Sequence, residues 1–385
     1  MASTHDERGL SMRRKYWVGG LLALLSLSLA LWAGFGSTAG AATSGQKLTK
    51  VTLQLKWVTQ AQFAGYYAAK AKGYYKQFGL DVNIKVGGPD ITPEQVVASG
   101  QAQFGLDWLP SLLATRDTGT QLVNIAQVFT RSGMTELTWR DSGINTVAKM
   151  RDRTVGVWCC GNQFELFAAL TKFGMDPEHN QGVKIFNQPF DMNAFLNRQI
   201  DAAAAMTYNE LAQVLESKNP KTGKLYTLGD LNVIKLQNIG TGMLEDGVFT
   251  TADYLKSAAN RAVATKFLAA SFKGWAYCRD HAQACTTIVL ANGPTLGKGH
   301  QTWQMNEINA LIWPVRQGIG VMNRTSFART AQIALKFKVI KKPASNAAYR
   351  IDLAKAADKL LAKQHVDVNG LKWRKSVVQV TPGGA

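Results

Sequence analysis

Twice along this chain a strand signal is followed by a helix, a second strand, a helix, a short strand and a helix, and that repeated grammar admits few folds. The first pass predicts strands at 51–55, 80–86 and 102–106, with helices at 63–77, 93–99 and 111–118. The second predicts strands at 154–158, 183–187 and 202–206, with helices at 163–173, 192–197 and 210–218. Further strands are read at 122–129, 136–139 and 232–235, and from residue 254 onward the text is helical. Strands alternating with helices define α/β layers with parallel pairing, so the fold class is α/β with two similar lobes. The lobe boundaries read as 50–142 for the first part of lobe 1, 143–245 for lobe 2, and 246–385 for a helical return to lobe 1 and a C-terminal tail. Two chain crossings, near 140 and 245, make a hinge, and a cleft between hinged lobes is a favoured place for a small ligand.

Residues 1–41 read as a signal peptide. Arg13-Arg14-Lys15 precedes twenty uncharged residues, Tyr16 to Phe35, with seven leucines, and Ala39-Gly40-Ala41 supplies a small-x-small cleavage frame. The paired arginines raise a twin-arginine export route, although Met12 stands where Ser or Thr is usual. The first cysteine is Cys159, which argues against a lipid anchor at the cleavage site. The expected location is therefore periplasmic.

The chemistry-bearing residues exclude more than they propose. Five histidines, none at a ligand spacing with another His or Cys, leave zinc chemistry without support. No P-loop, Gly-x-Ser-x-Gly or Gly-x-Gly-x-x-Gly follows a strand. A net charge of +18 is markedly basic, but the Lys and Arg are dispersed, densest only over 336–342, and no nucleic-acid-binding motif accompanies them. No nucleic-acid partner and no cofactor are expected, and the chain reads as a monomer. Among four cysteines, Cys278 and Cys285 would lie about 10 Å apart on one continuous helix, too far to bridge, whereas a turn at 280–282 would allow it. Disulfide and buried thiols both stay open for that pair. Cys159 and Cys160, between a strand and a helix, read as packing thiols, because a vicinal disulfide is strained.

Candidate ligand-binding residues cluster at the strand ends that should rim the cleft. Trp57, Trp108, Trp158 and Tyr208 offer flat rings that suit a planar heteroaromatic guest, and each reads equally as a core aromatic. Gln62, Asp107, Asn162, Glu165, Asn209, Glu210 and Glu245 lie in the same loops and could fix ring N–H and amino groups. Asn162, just before a helical run, has a helix cap as its alternative role.

The stretch LQLKWVTQAQFAGYYAAKAKGYYKQFGLDV, residues 53–82, resembles the thiamine-pyrimidine proteins known as the NMT1/THI5-like family. The similarity continues through SGQAQFGLDWLPSLLATRDTG, RDRTVGVW and NRQIDAAAAMTYNE. The resemblance implies a type II periplasmic-binding-protein fold with a hinged interlobe cleft. It also implies one of two activities: an exported binding protein that delivers a pyrimidine to an ABC permease in the inner membrane, or a suicide pyrimidine synthase. The synthase's cofactor lysine falls at Asp107 and its sacrificial histidine at Ser111, its phosphate turn has become Cys159-Cys160-Gly161-Asn162, and its cysteine-rich run has become Gly242 to Asp246. These departures imply a non-enzymatic binding protein for an unphosphorylated ligand. Trp57 and Tyr208 would then stack on the ligand and Glu210 would hydrogen-bond it. The wording MLEDGVF and WQMNEINALIWP resembles a subgroup linked to riboflavin, so a thiamine pyrimidine and riboflavin are both expected guests.

Overall fold

A computed structural model describes residues 47–159 and 161–385; the segment expected to be a signal peptide, 1–41, and Cys160 lie outside the described residues. Among the described residues, ten strands form two five-stranded sheets. The first is built from β1 (Thr49–Gln54), β2 (Leu80–Lys85), β3 (Phe104–Trp108), β4 (Leu122–Gln127) and β10 (Asp246–Thr251), and the second from β5 (Met134–Trp139), β6 (Thr154–Val157), β7 (Lys184–Asn187), β8 (Ala202–Met206) and β9 (Leu231–Lys235). Their orders are β2-β1-β3-β10-β4 and β7-β6-β8-β5-β9. In each sheet the three strands at the first three positions of its order run parallel, and the fourth position is filled by a strand at a crossing between the halves, antiparallel to both neighbours. The repeated grammar of the sequence is thus a repeated topology.

Helices α1 (Ala64–Ala71), α2 (Tyr74–Gln77), α3 (Pro93–Ala98) and α4 (Leu109–Asp117) connect the first sheet. Helices α5 (Phe164–Lys172), α6 (Asn193–Leu196), α7 (Glu210–Leu215) and α8 (Leu236–Ile239) belong to the second. The C-terminal part supplies α9 (Ala258–Asp280), α10 (Ala282–Asn292), α11 (Lys298–Ile312), α12 (Arg324–Lys336) and α13 (Asp352–Ala362). The single helix expected at 63–77 is two, because Gly73 takes a left-handed φ of 69° that ends α1 and restarts the chain as α2. Helices α1 and α9 cross so closely that a Cβ on Gly274 would stand 2.0 Å from the Gly65 carbonyl, so only glycine permits that contact. Cys278 and Cys285 are disulfide-bonded with Cα atoms 5.3 Å apart, since the chain breaks at His281 (φ −134°, ψ 54°) between α9 and α10.

The first crossing differs from expectation. Strand β5 pairs with β8 and β9, so the first crossing lies between β4 and β5, and the residues up to 142 do not all belong to the first lobe. Strand β10 was missed because Glu245-Asp246-Gly247 looks like a turn; buried between β3 and β4, it is a sheet strand. The return is also not confined to lobe 1. In α11, Gln301 Oε1 and Gln304 Oε1 both accept from Ala61 N of the first lobe (2.7 and 2.8 Å), while Trp303 Nε1 donates to Thr207 O of the second (2.9 Å). The tail follows, Gly383 N donating to Glu216 O at 2.9 Å.

Glu136 sits mid-strand in β5 with 0% exposure, and both its carboxyl oxygens are buried without a hydrogen-bond partner. Burial pushes its carboxyl well above the usual range. A folded-state value above the unfolded one means that its stabilising contribution is intact in acid and lost as pH rises. Glu136→Leu is therefore expected to raise stability by about 1–3 kcal/mol at neutral pH, with the gain growing from pH 5 to 9. Thermal melts across that range check it; a gain that shrinks with pH would contradict it.

Candidate functional site

Strands β1, β3, β6 and β8 are parallel members of their sheets, and the crevice outside the carboxyl ends of such strands is where open α/β sheets bind ligands. Here the residues at or just beyond those ends are Lys56-Trp57, Asp107-Trp108, Trp158 and Tyr208. They surround one cavity of about 530 Å³, within the roughly 300–1,000 Å³ usual for small-molecule sites. Trp57, Gln62, Asp107, Trp108, Trp158, Asn162, Tyr208, Asn209 and Glu210 all line it, so nine of the eleven expected residues come together. Glu165 and Glu245 do not.

Those two carboxyls are buried at the hinge instead. Glu245 Oε1 accepts from Gly133 N at 2.6 Å and so ties the second crossing to the first, while Glu165 Oε2 accepts from Ser132 Oγ at 2.7 Å. Burial raises both: Glu165 to about 8, and Glu245 well above the carboxylate range with help from the Glu165 and Asp246 charges. Their loop position suggested cleft residues, but the chain directs them into the crossing, where backbone and hydroxyl donors need acceptors.

On the first-lobe wall, Lys56 Nζ donates to Asp107 Oδ1 and stands 5.2 Å from the Trp108 ring centroid. Burial, the largest influence, lowers the lysine's affinity for its proton; the charge and hydrogen bond of Asp107 with the charges of Glu94 and Asp246 together outweigh it and raise the ammonium above its ordinary value. Asp107 Oδ1 also accepts from Trp108 N at 2.6 Å. Gln62 Nε2 donates to Asp246 Oδ2 at 2.8 Å, and burial lifts the Asp246 carboxyl to about 7. Glu94, at the start of α3, is 1% exposed; burial first, then the neighbouring Asp107 charge, push its carboxyl well up.

On the second-lobe wall, Tyr208 is buried and meets Phe129 edge-on, ring centroids 6.4 Å apart. Burial, followed by the charges of Glu245, Asp246, Glu210 and Glu165, keeps its phenol protonated and thus a donor. Glu210 has both oxygens engaged, Oε2 accepting from Met206 N (2.9 Å) and Oε1 from Asn209 Nδ2 (2.6 Å), so it braces the turn that presents Tyr208. Asn209 Oδ1 in turn meets His300 Nε2 of α11 at 2.8 Å. Trp158 Nε1 donates to Pro189 O at 3.3 Å. Asn162 is not a helix cap: its Nδ2 donates to Cys159 O at 3.0 Å, and Gln163 precedes α5. Cys159 is disulfide-bonded, which corrects its assignment as a packing thiol.

Sequence reading missed three lining residues that matter. Phe190 of the second lobe packs on Trp57 of the first with ring centroids 4.6 Å apart and planes at 59°, closing one side of the cleft. Lys56 carried a signal, its place beside Trp57. Glu94 carried none, since an acidic residue in the first turn of a helix is ordinary.

Two five-stranded α/β sheets joined by two crossings, with a ring-lined cavity at the facing strand ends, define a periplasmic-binding-protein fold. Solved structures agree: the periplasmic nitrate-binding protein NrtA from Synechocystis PCC 6803 is 13% identical with a TM-score of 0.59, covering 85% of this chain and 93% of its own. The alkanesulfonate-binding protein SsuA from Xanthomonas axonopodis pv. citri, bound to MOPS, is 14% identical with a TM-score of 0.57, covering 79% and 99%. The profile of the family described as NMT1/THI5 like matches residues 60–285, more than half of the chain. The chain belongs to the NMT1/THI5-like family. A formylaminopyrimidine-binding protein from Halalkalibacterium halodurans is 29% identical over 105 residues, 27% of this chain and 32% of the relative, so the match spans about a third of that relative's length.

Proposed function

We propose that this chain is the exported solute-binding component of an ABC importer, and that its two lobes close on an aromatic, unphosphorylated vitamin or vitamin precursor of the thiamine-pyrimidine class. The carrying observation is the chemistry of the cavity. Rings from both lobes rim it, and Lys56, the sole cationic side chain among the described lining residues, is neutralised by Asp107. A nitrate or sulfonate would need an unpaired cation or a row of free donors, whereas a flat uncharged ring gains apolar burial and offset stacking here. The similarity to a formylaminopyrimidine-binding protein points the same way. Riboflavin is the second reading, favoured by a cavity of about 530 Å³ with Trp108 and Trp158 in addition to Trp57 and Tyr208, more room than a single ring fills.

The proposal places the mature protein in the periplasm, exported through residues 1–41, as a monomer that presents its closed form to a membrane permease. Ligand binding shifts the lobes toward closure, and the permease distinguishes loaded from empty protein by that shape. No bond is made or broken. The rival, a pyrimidine synthase, needs an amine free to form an imine with its cofactor, and Lys56 is paired with Asp107. Incubation with pyridoxal phosphate tests this, an imine absorbance band favouring the rival. For the ligand, a thermal-shift screen should compare hydroxymethylpyrimidine, formylaminopyrimidine, thiamine and riboflavin with nitrate and an alkanesulfonate. A true ligand at a hundred times its Kd stabilises by about 2.7 kcal/mol; a shift with the anions alone would overturn the proposal.

A further inference from the structure

Away from the binding cavity, one face of α12 carries a second hollow. Arg324, Ala328, Ala331 and Leu335 recur at the spacing that stacks side chains along one side of a helix. With Ala344, Tyr349 and Ile351 opposite, they line a groove of about 630 Å³. Phe327 and Tyr349 meet at its wall, ring centroids 4.4 Å apart. The other side anchors the helix: Thr330, Ile333 and Ala334 are buried, and Thr330 Oγ1 accepts from Leu244 N at 3.1 Å. Basic side chains frame the groove. Arg324 lines it, Lys336 follows Leu335, and Lys338, Lys341 and Lys342 lead into Pro343, another lining residue. The stretch 336–342, the densest basic run of the chain, thus carries four lysines, all exposed, and none of them lines the binding cavity. Among the described residues neither these lysines nor Arg324 form an ion pair. Asp117 Oδ2 is taken by the backbone N of Lys341 at 2.9 Å, and Asp352 by Arg350.

An apolar hollow framed by uncompensated lysines is complementary to a surface that is apolar within and anionic outside. A bilayer with acidic headgroups has that construction: acyl carbons fill the hollow, and phosphates meet ammonium groups whose apolar stems reach the headgroup level. Nucleic acid offers the charge without an apolar complement for the groove. An acidic protein presents fixed carboxylates, which planar arginines match better than lysines, whereas an ammonium on a flexible stem acts as a point charge and suits a fluid headgroup layer. We propose that the α12 groove, with Lys336, Lys338, Lys341 and Lys342, is a peripheral docking surface for a membrane containing anionic phospholipid. This goes beyond the binding function and stands whatever the cavity takes. It holds an exported protein at the membrane in which a permease resides, so that the two meet by diffusion along a surface.

Co-sedimentation of the mature protein with lipid vesicles tests it, one set made of phosphatidylcholine, the other of phosphatidylcholine and phosphatidylglycerol in equal parts. The wild type should partition onto the anionic vesicles at least about tenfold more strongly than onto the neutral ones. At about 1 M salt, where the screening length falls to about 3 Å, the difference should vanish. A lysine near an anionic surface is worth about fivefold in partitioning, so Lys338→Glu/Lys341→Glu/Lys342→Glu should lose at least about tenfold. The control, Lys218→Glu/Lys221→Glu/Lys224→Glu, changes three exposed lysines of the second lobe and the net charge by the same amount; it should keep most of the binding. Ala328→Glu, which puts a carboxylate into the groove, should weaken binding too. Thermal melts establish that each variant is folded. Equal losses in the two triple variants would overturn the proposal in favour of attraction by overall charge, and wild-type binding that ignores phosphatidylglycerol would overturn it outright. An Ala328→Glu protein that binds like the wild type would take the groove out of the surface. Polyglutamate bound by the wild type and not by the Lys338→Glu/Lys341→Glu/Lys342→Glu variant, with no vesicle binding, would assign the face to an acidic protein instead.

Discussion

Replacing Trp57 by alanine is expected to weaken ligand binding by about ten- to a hundredfold, roughly 1.4–2.7 kcal/mol, while moving the melting temperature by no more than a few degrees. Trp57 is only half-buried: it packs on the edge of the core and meets Phe190 across the cleft. Removing it therefore opens little of the folded interior. It does remove the ring that the first lobe contributes at the mouth, and with it both the apolar area and the stacking term, the latter worth about 0.5–1.5 kcal/mol. Titration calorimetry with the pyrimidine and flavin probes, beside a thermal melt, measures both halves of the expectation. Unchanged affinity would remove the ring-lined mouth from the site; an unfolded variant would show that Trp57 is core.

The second large effect comes from Asp107→Asn. The Lys56–Asp107 pair is largely buried, with side-chain exposures of 14% and 6%, and breaking a buried pair from one side leaves the other charge uncompensated. That costs about 3 kcal/mol at the lower end of the usual range, so the melting temperature should drop by several degrees. The same change gives the cavity what the wild type lacks, an unpaired ammonium among aromatic walls. The variant should acquire measurable affinity for nitrate or an alkanesulfonate, with binding of the neutral aromatic reduced. Adding Lys56→Met to the variant should restore most of the stability and abolish the new anion binding. A variant as stable as wild type and blind to anions would mean that the pair does not set the polarity of the cavity.

How much of this could be read in advance follows from how local each signal is. Strands such as β1 and β6 and helices such as α5 and α13 were legible because their apolar patterning and end signals lie within a dozen residues. Strand β10 was not, because Asp246 and Gly247 mark turns locally, and only the neighbours β3 and β4 make them sheet. The crossing at β5 was misplaced because a strand's sheet membership is decided by its partner. In the site, the aromatics at strand ends stood out by type and place. Glu165, in the first turn of α5, and Glu245, just before β10, are turned into the hinge by the fold, and the sequence carries nothing to say so. Glu94 was invisible for the opposite reason: its helix-start position is commonplace, and only its three-dimensional neighbours, Asp107 and Lys56, give it chemistry. Likewise the double attachment of α11, through Gln301 and Gln304 to one lobe and Trp303 to the other, rests on contacts between residues far apart in the chain.

The most direct measurement is calorimetric titration of the purified mature protein with hydroxymethylpyrimidine, formylaminopyrimidine and riboflavin, followed by intrinsic tryptophan fluorescence. A clamp lined by Trp57, Trp108 and Trp158 should bind at least one of them with one-to-one stoichiometry and a Kd of about a micromolar or tighter, quenching the tryptophan emission. Silence with all three at millimolar concentration, accompanied by saturable binding of nitrate or an alkanesulfonate, would contradict it.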